Sequence, residues 1–145
     1  MNAGQRGFGA IVAIVILVVM ATISAALVRL GTTQQVTSTQ DILSARAWQT
    51  ARAGNEWGLY WALRGGSCAG ASGTLDLRAS TGFSVTVSCI ARTFNEGETS
   101  PGVPFVTTTY NVEAIACNSA ACPDAALAAT PGYVERKRLV LANTP

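Results

Sequence analysis

The chain has 145 residues, 49% of them apolar and 12% charged, with a net charge of +2, four cysteines and no histidine. That length allows one ordinary domain, and the charged share is about half of the ~25% usual in a soluble domain. Without histidine there is no Ser-His or Cys-His catalysis and no His-ligated metal, and so small a net charge makes no electrostatic case for nucleic acid.

The apolar excess sits at the N-terminus. From Phe8 to Val28 there is no charged residue, and the run is bounded by Arg6 and Arg29. As a helix it is about 32 Å long, enough for the ~30 Å hydrocarbon core of a bilayer. It has almost no polar face, unlike the surface helix of a soluble domain. Thr22 and Ser24 can bond to carbonyls of their own helix, so they do not forbid insertion. Three fates compete. The segment is a permanent anchor, a secretory signal cut after Ala26, or a helix whose short leader is cut at Gly7-Phe8. The length of the apolar run favours an anchor. Positive charge at Arg6 puts the N-terminus in the cytoplasm. Four cysteines in the polar remainder point to disulfides and an oxidising compartment for residues 30–145.

Residues 30–64 read as a continuation of the helix. Val36, Leu43, Ala47, Ala51, Gly54, Gly58 and Trp61 recur at intervals of three, four or seven, and no proline precedes Pro101. The stripe is narrow and made of small residues, which lets another backbone approach closely. Trp48, Trp57, Tyr60 and Trp61 supply the bulk for a core between helix and sheet; a sugar-binding platform is the alternative. Glu56 is placed to pair with Arg52 one turn earlier. Gly65-Gly66 ends the helix.

Residues 74–143 read as strands. Residues 74–78 alternate, Ser80 to Gly82 makes a turn, and Phe83, Val85, Val87 and Cys89 alternate with Ser84, Thr86 and Ser88. Asn95, Gly97, Pro101, Gly102 and Pro104 mark 92–106 as a long hairpin loop. Residues 107–117 form the next strand, with Tyr110, Val112, Ala114 and Ala116 on one face. Residues 123–132 are a loop with one helical turn at 124–129, and 133–142 form a last strand whose faces are both mixed. Arg136-Lys137-Arg138 reads as a solvated strand face. The fold class is α+β: a long N-terminal helix on an antiparallel sheet of three or four strands.

Four cysteines allow three pairings. A hairpin centred near residue 99 sets Cys89 opposite about Thr109, some eight residues of register from Cys117, beyond bridging reach. Register therefore favours Cys117-Cys122 across a short loop and Cys68-Cys89 between the post-helix loop and the sheet. Zinc is disfavoured because the spacing contains no C-x₂-C pair. The carboxylates are scattered, and no nucleophile motif or phosphate loop appears, so no enzyme, catalytic residue, metal or cofactor is expected.

A short polar leader ending in Arg6-Gly7, with Phe8 opening a long apolar helix, resembles the processing site of type IV pilins and type II secretion pseudopilins. The segment Ala51-Arg-Ala-Gly54-Asn-Glu56-Trp-Gly-Leu-Tyr-Trp61 and the position of Arg29 after the apolar run are similar to minor pilins of the MshP and PilX types, which serve MSHA-like pili. The closing residues Tyr133–Leu141 are similar to the last strand of that group. The resemblance is good over residues 4–64 and loose over the sheet.

The resemblance implies residues 1–7 as a prepilin leader, 8–29 as the membrane and polymerisation half of the helix, and 30–145 as an external pilin domain. It implies cleavage by a prepilin peptidase after Gly7 and N-methylation of Phe8. It also implies a single pass of the bacterial inner membrane before assembly, then a place in the pilus at the cell surface. The expected partners are other major and minor pilins, met through the helix. Major pilins carry glutamate at the fifth mature position, where this chain has Val12. A subunit at the tip has no earlier neighbour whose amine needs that carboxylate, so Val12 points to a priming or tip subunit. Two alternatives stand beside it: a minor pseudopilin of a type II secretion system, and a secreted disulfide-bonded binding domain with a cleaved signal.

Overall fold

The computed structural model describes residues 6–144, and for residues 6–8 and 29–33 it describes the backbone alone. Helix α1 spans Arg6–Gly65. Strand β1 spans Gly73–Leu77, the short helix α2 Arg78–Thr81, β2 Phe83–Ser100, β3 Val103–Cys117 and β4 Glu135–Thr144. The chain divides into two compact units, Met1–Thr39 and Gln40–Pro145.

The first unit is helical throughout its described residues, and its side chains from Gly9 to Val28 are exposed to the surroundings. Thr22 Oγ1 donates to the Val19 carbonyl and Ser24 Oγ to the Met20 carbonyl, both at 2.8 Å. Both hydroxyls are thus satisfied within the helix, as an apolar solvent requires.

In the second unit the helix ends at Gly65, and Gly66 follows with φ +61°, the left-handed conformation that a helix stop favours and glycine adopts without a Cβ penalty. The four strands form one antiparallel meander in the order β1-β2-β3-β4. This is the expected α+β layout of a helix on a small antiparallel sheet.

Alternation sets the two faces of the sheet. Val85, Val87, Val112, Ala114 and Ala116 point inward and are at most 2% exposed. Against them the helix sets Ala47, Thr50, Ala51, Gly54, Asn55, Gly58 and Ala62, all buried. A Cβ on Gly54 would lie 2.6 Å from Val85 Cγ2, and one on Gly58 would lie 2.7 Å from Val112 Cγ1. The helix backbone therefore rests almost directly on the valine methyls. This overturns the expected aromatic core. Trp48 is 46% exposed, Tyr60 51% and Trp61 44%; only Trp57 packs on the core cluster, at its margin, where it is half-buried. A seam this close has no room for indoles, so they are pushed to its flanks.

Further expectations change. The span 92–106 is not a loop: β2 and β3 run on as a two-stranded ribbon to a tip at Pro101-Gly102, with register shifts between Asn95, Glu98 and Ser100. The hairpin centre accordingly shifts, so Cys89 lies opposite Val112 rather than Thr109. The turn at residues 80–82 is the end of α2, capped by Gly82. Residues 125–129 form turns rather than a helical turn. The last strand has a defined inner side: Arg138, Val140 and Ala142 pair with the buried Ala114, Val112 and Tyr110.

Candidate functional site

The leader residues 1–5 and the side chains of Gly7 and Phe8, where processing is expected, lie outside the described residues. Val12 is on the apolar helix of the first unit, 41% exposed. The stretch Gly9–Val28 is long and apolar enough to cross a membrane, a property shared by anchors and by signal sequences. Gly9, Ala10, Ala13, Ala21, Ala25 and Ala26 leave shallow places along it where another helix can approach closely.

In the second unit the cysteines join as Cys68–Cys89 and Cys117–Cys122, with Cα separations of 5.4 and 5.6 Å. The first bridge ties the post-helix loop to the inner face of β2, beside Ala62, Ala71 and Tyr110. The second closes the loop after β3, where Ser84 is fully buried and donates to the Ser119 carbonyl. No cysteine is free, and among the described residues no group of three His, Cys, Asp or Glu could hold a metal ion.

The loop after that bridge is held by its own polar groups. Ser119 Oγ donates to Asp124 Oδ2 at 2.6 Å, and the amides of Ala126 and Leu127 donate to Asp124 Oδ1. The Ser119 hydroxyl, followed by those amides, holds the Asp124 carboxyl below its ordinary pKa despite partial desolvation. The amide of Asp124 donates to Tyr133 Oη, whose hydroxyl donates to Glu135. Burial, and then the Glu135 hydrogen bond, raises the Tyr133 pKa above the usual phenol range.

The displaced aromatics acquire polar neighbours. Tyr60 and Trp61 meet edge-on with ring centroids 5.6 Å apart, and Arg64 lies over Tyr60. Arg138 lies over Trp48, 4.8 Å from its ring centroid. Arg136 donates to Ser44 Oγ, and Lys137 pairs with Glu113 at 2.7 Å. The run 136–138 is thus divided by strand alternation rather than being one solvated face: its arginines turn to the helix and its lysine turns away. Glu56 pairs with Arg52 at 2.8 Å, the pair expected from the helical spacing.

Two surfaces were not legible in the sequence. One is a cleft of about 420 Å³ lined by Arg46, Gln49, Thr50, Ala53, Leu77, Ser80 and Thr81. The helix and α2 are some thirty residues apart in sequence, and only the sheet brings them together. The other is the β2-β3 ribbon, which exposes Ile90, Phe94, Val103, Phe105 and Val106. Prolines and glycines within it give the composition of a loop. Neither surface carries a nucleophile paired with a base. No protein-family model matches the chain, and neither a curated protein nor a solved structure matches it.

Proposed function

We propose that this chain is a minor pilin of a type IV, MSHA-like pilus, a structural subunit that primes assembly or sits at the tip. The reading rests on one observation above the others. Within α1, an apolar segment of bilayer length is followed by a small-residue stripe that seats a disulfide-braced antiparallel sheet. The apolar segment holds the chain in the inner membrane before assembly. After extraction it packs against the helices of other pilins, replacing lipid by protein at little apolar cost. The sheet unit stays on the oxidising side, where its bridges are stable. A prepilin peptidase removes the leader after Gly7 and Phe8 is methylated. The work is mechanical: no catalytic group, metal or cofactor enters it.

The test is the mature N-terminus, read by mass spectrometry on protein from membranes and from sheared surface fibres. A chain beginning at N-methylated Phe8 is the expected result. A chain beginning at Leu27 makes the apolar run a discarded signal and overturns the proposal, and so does a retained Met1 in protein that never enters fibres.

A further inference from the structure

The sheet has two edges, and they differ. β1 is five residues long and runs straight into α2. An edge strand that short gives another chain little to pair with. β4 spans ten residues without proline, glycine or bulge, and it pairs with β3 on one side only. Among the described residues no loop or side chain bonds to the outward backbone groups of residues 136–144. Alternate residues of an edge strand turn their N–H and C=O away from the sheet, so β4 is a ladder open to one more strand.

The cover over the core stops short of the same edge. Tyr110, Val112 and Ala114 on β3 are fully buried, yet their partners Ala142, Val140 and Arg138 on β4 are only half-buried. Trp48 stands on this side of the helix, nearly half exposed, with Arg138 over its ring. On the other face of β4, Leu139 and Leu141 are each more than half exposed. A cleft of about 220 Å³ opens where Gln40 and Ser44 face residues 133–136. A strand laid along β4 would therefore bury apolar surface on both of its faces.

The charges decide which strand fits. Lys137 is paired with Glu113, but neither Arg136 nor Arg138 has a carboxylate partner among the described residues. Their contacts with Ser44 and Trp48 fix both on the inward face, two residues apart. Charges on an edge keep unsuitable strands away. A second β4 is one of these: antiparallel pairing about Val140, which matches the leucines, leaves Arg136 opposite Thr144 and Arg138 opposite Ala142. The chain's own acidic pair, Glu96 and Glu98, lies in the β2-β3 ribbon between Asn95 and Thr99, with no apolar run beside it. The fitting strand sets carboxylates opposite Arg136 and Arg138, and apolar side chains opposite residues 139–142.

We propose that the β4 edge binds one extended segment of a different polypeptide, about four apolar β-branched residues beside an acidic-x-acidic triplet. Main-chain hydrogen bonds hold the segment, and the arginines set its register. One edge takes one strand, so the contact is one-to-one and does not propagate. The inference does not rest on pilus membership.

The experiment uses the full chain in mild detergent and a fluorescent synthetic peptide of four valine or isoleucine residues followed by Glu-Thr-Glu. Antiparallel pairing then sets the acids opposite Arg138 and Arg136. One control peptide has N-methylated backbone amides, and another ends in Lys-Thr-Lys. Anisotropy reads the affinity, and hydrogen exchange reads the location. The acidic peptide is expected to bind, to slow amide exchange within residues 136–144, and to weaken with salt. N-methylation abolishes binding, and the lysine peptide binds roughly tenfold more weakly or worse. The double variant Arg136→Glu, Arg138→Glu reverses the preference between the two charged peptides. Near-UV circular dichroism checks its fold, and Arg136→Gln with Arg138→Gln is the milder replacement, expected to remove the preference. No binding of the acidic peptide, equal binding of the N-methylated one, protection away from β4, or indifference to the arginine variants each overturns the proposal. Wild type that self-associates and protects residues 136–144 before peptide is added makes a second copy the occupant, and also overturns it.

Discussion

Gly58 is the residue on which helix and sheet depend most directly. A Cβ there would meet Val112 Cγ1 at 2.7 Å and Val87 Cγ1 at 2.8 Å, two branched side chains held in the buried face of the sheet. Alanine gains about 1 kcal/mol of helix propensity over glycine, while overpacking a tight core costs about 1–3 kcal/mol. Gly58→Ala is therefore expected to lower stability, by up to about 2 kcal/mol, read as a lower urea midpoint with an unchanged slope. A raised midpoint would show that the sheet gives way easily. The same closeness explains where the sequence misled. Gly54 and Gly58 were visible as a small-residue stripe, but the three tryptophans nearby suggested that bulk filled the gap. No gap exists, because methyls of Val85, Val87 and Val112 already occupy it.

At the scale of the element, the helix and its stop at Gly65-Gly66 were legible because periodicity and glycine chemistry agree. The alternating strands at 83–89 and 107–117 were legible for the same reason. The ribbon was not. Asn95, Gly97, Pro101, Gly102 and Pro104 are the residues of a loop, yet pairing continues to Ser100 and Val103. A two-stranded ribbon tolerates them because both its edges are free, so a proline can face solvent without costing a ladder bond. The turn between β1 and β2 carries its own electrostatic device. Asp76 accepts the Arg78 guanidinium at 2.9 and 2.7 Å and the Arg78 amide at 3.1 Å. The guanidinium, and then the amide, lowers the Asp76 pKa to about 2. The folded value lies below the unfolded one, so this contribution to stability is complete above about pH 4 and is lost as pH falls through about 2. Carboxyl titration followed by NMR should give a midpoint near the lower value. A midpoint near 4 would mean that the contact does not persist in solution.

For the whole molecule, the α+β class followed from the order of the patterns, an apolar helix and then alternating strands. The site was less legible, since its cleft joins residues distant in sequence. The missing carboxylate at Val12 yields a prediction at this scale. A subunit without it is expected at one end of the fibre, so gold labelling of tagged protein should mark tips at low copy number. Labelling along the shaft at high copy would remove the tip assignment while leaving membership of the fibre intact. Val12→Glu is expected to spread the label into the shaft.

The glycine seam also bears on how a subunit in a fibre responds to tension. In the proposed fibre, force entering along the helix would be opposed by drag on the sheet and would load the seam in shear. A seam of large side chains resists such loading through the area it hides from water. This one resists as a ratchet does, because the Val85 methyl lies in the notch at Gly54, and Val87 and Val112 lie in the notch at Gly58. Sliding by one turn, about 5.4 Å, brings the Thr50 or Ala62 side chain onto those methyls where a bare Cα now lies. The grip comes from shape, and few side chains are needed to supply it.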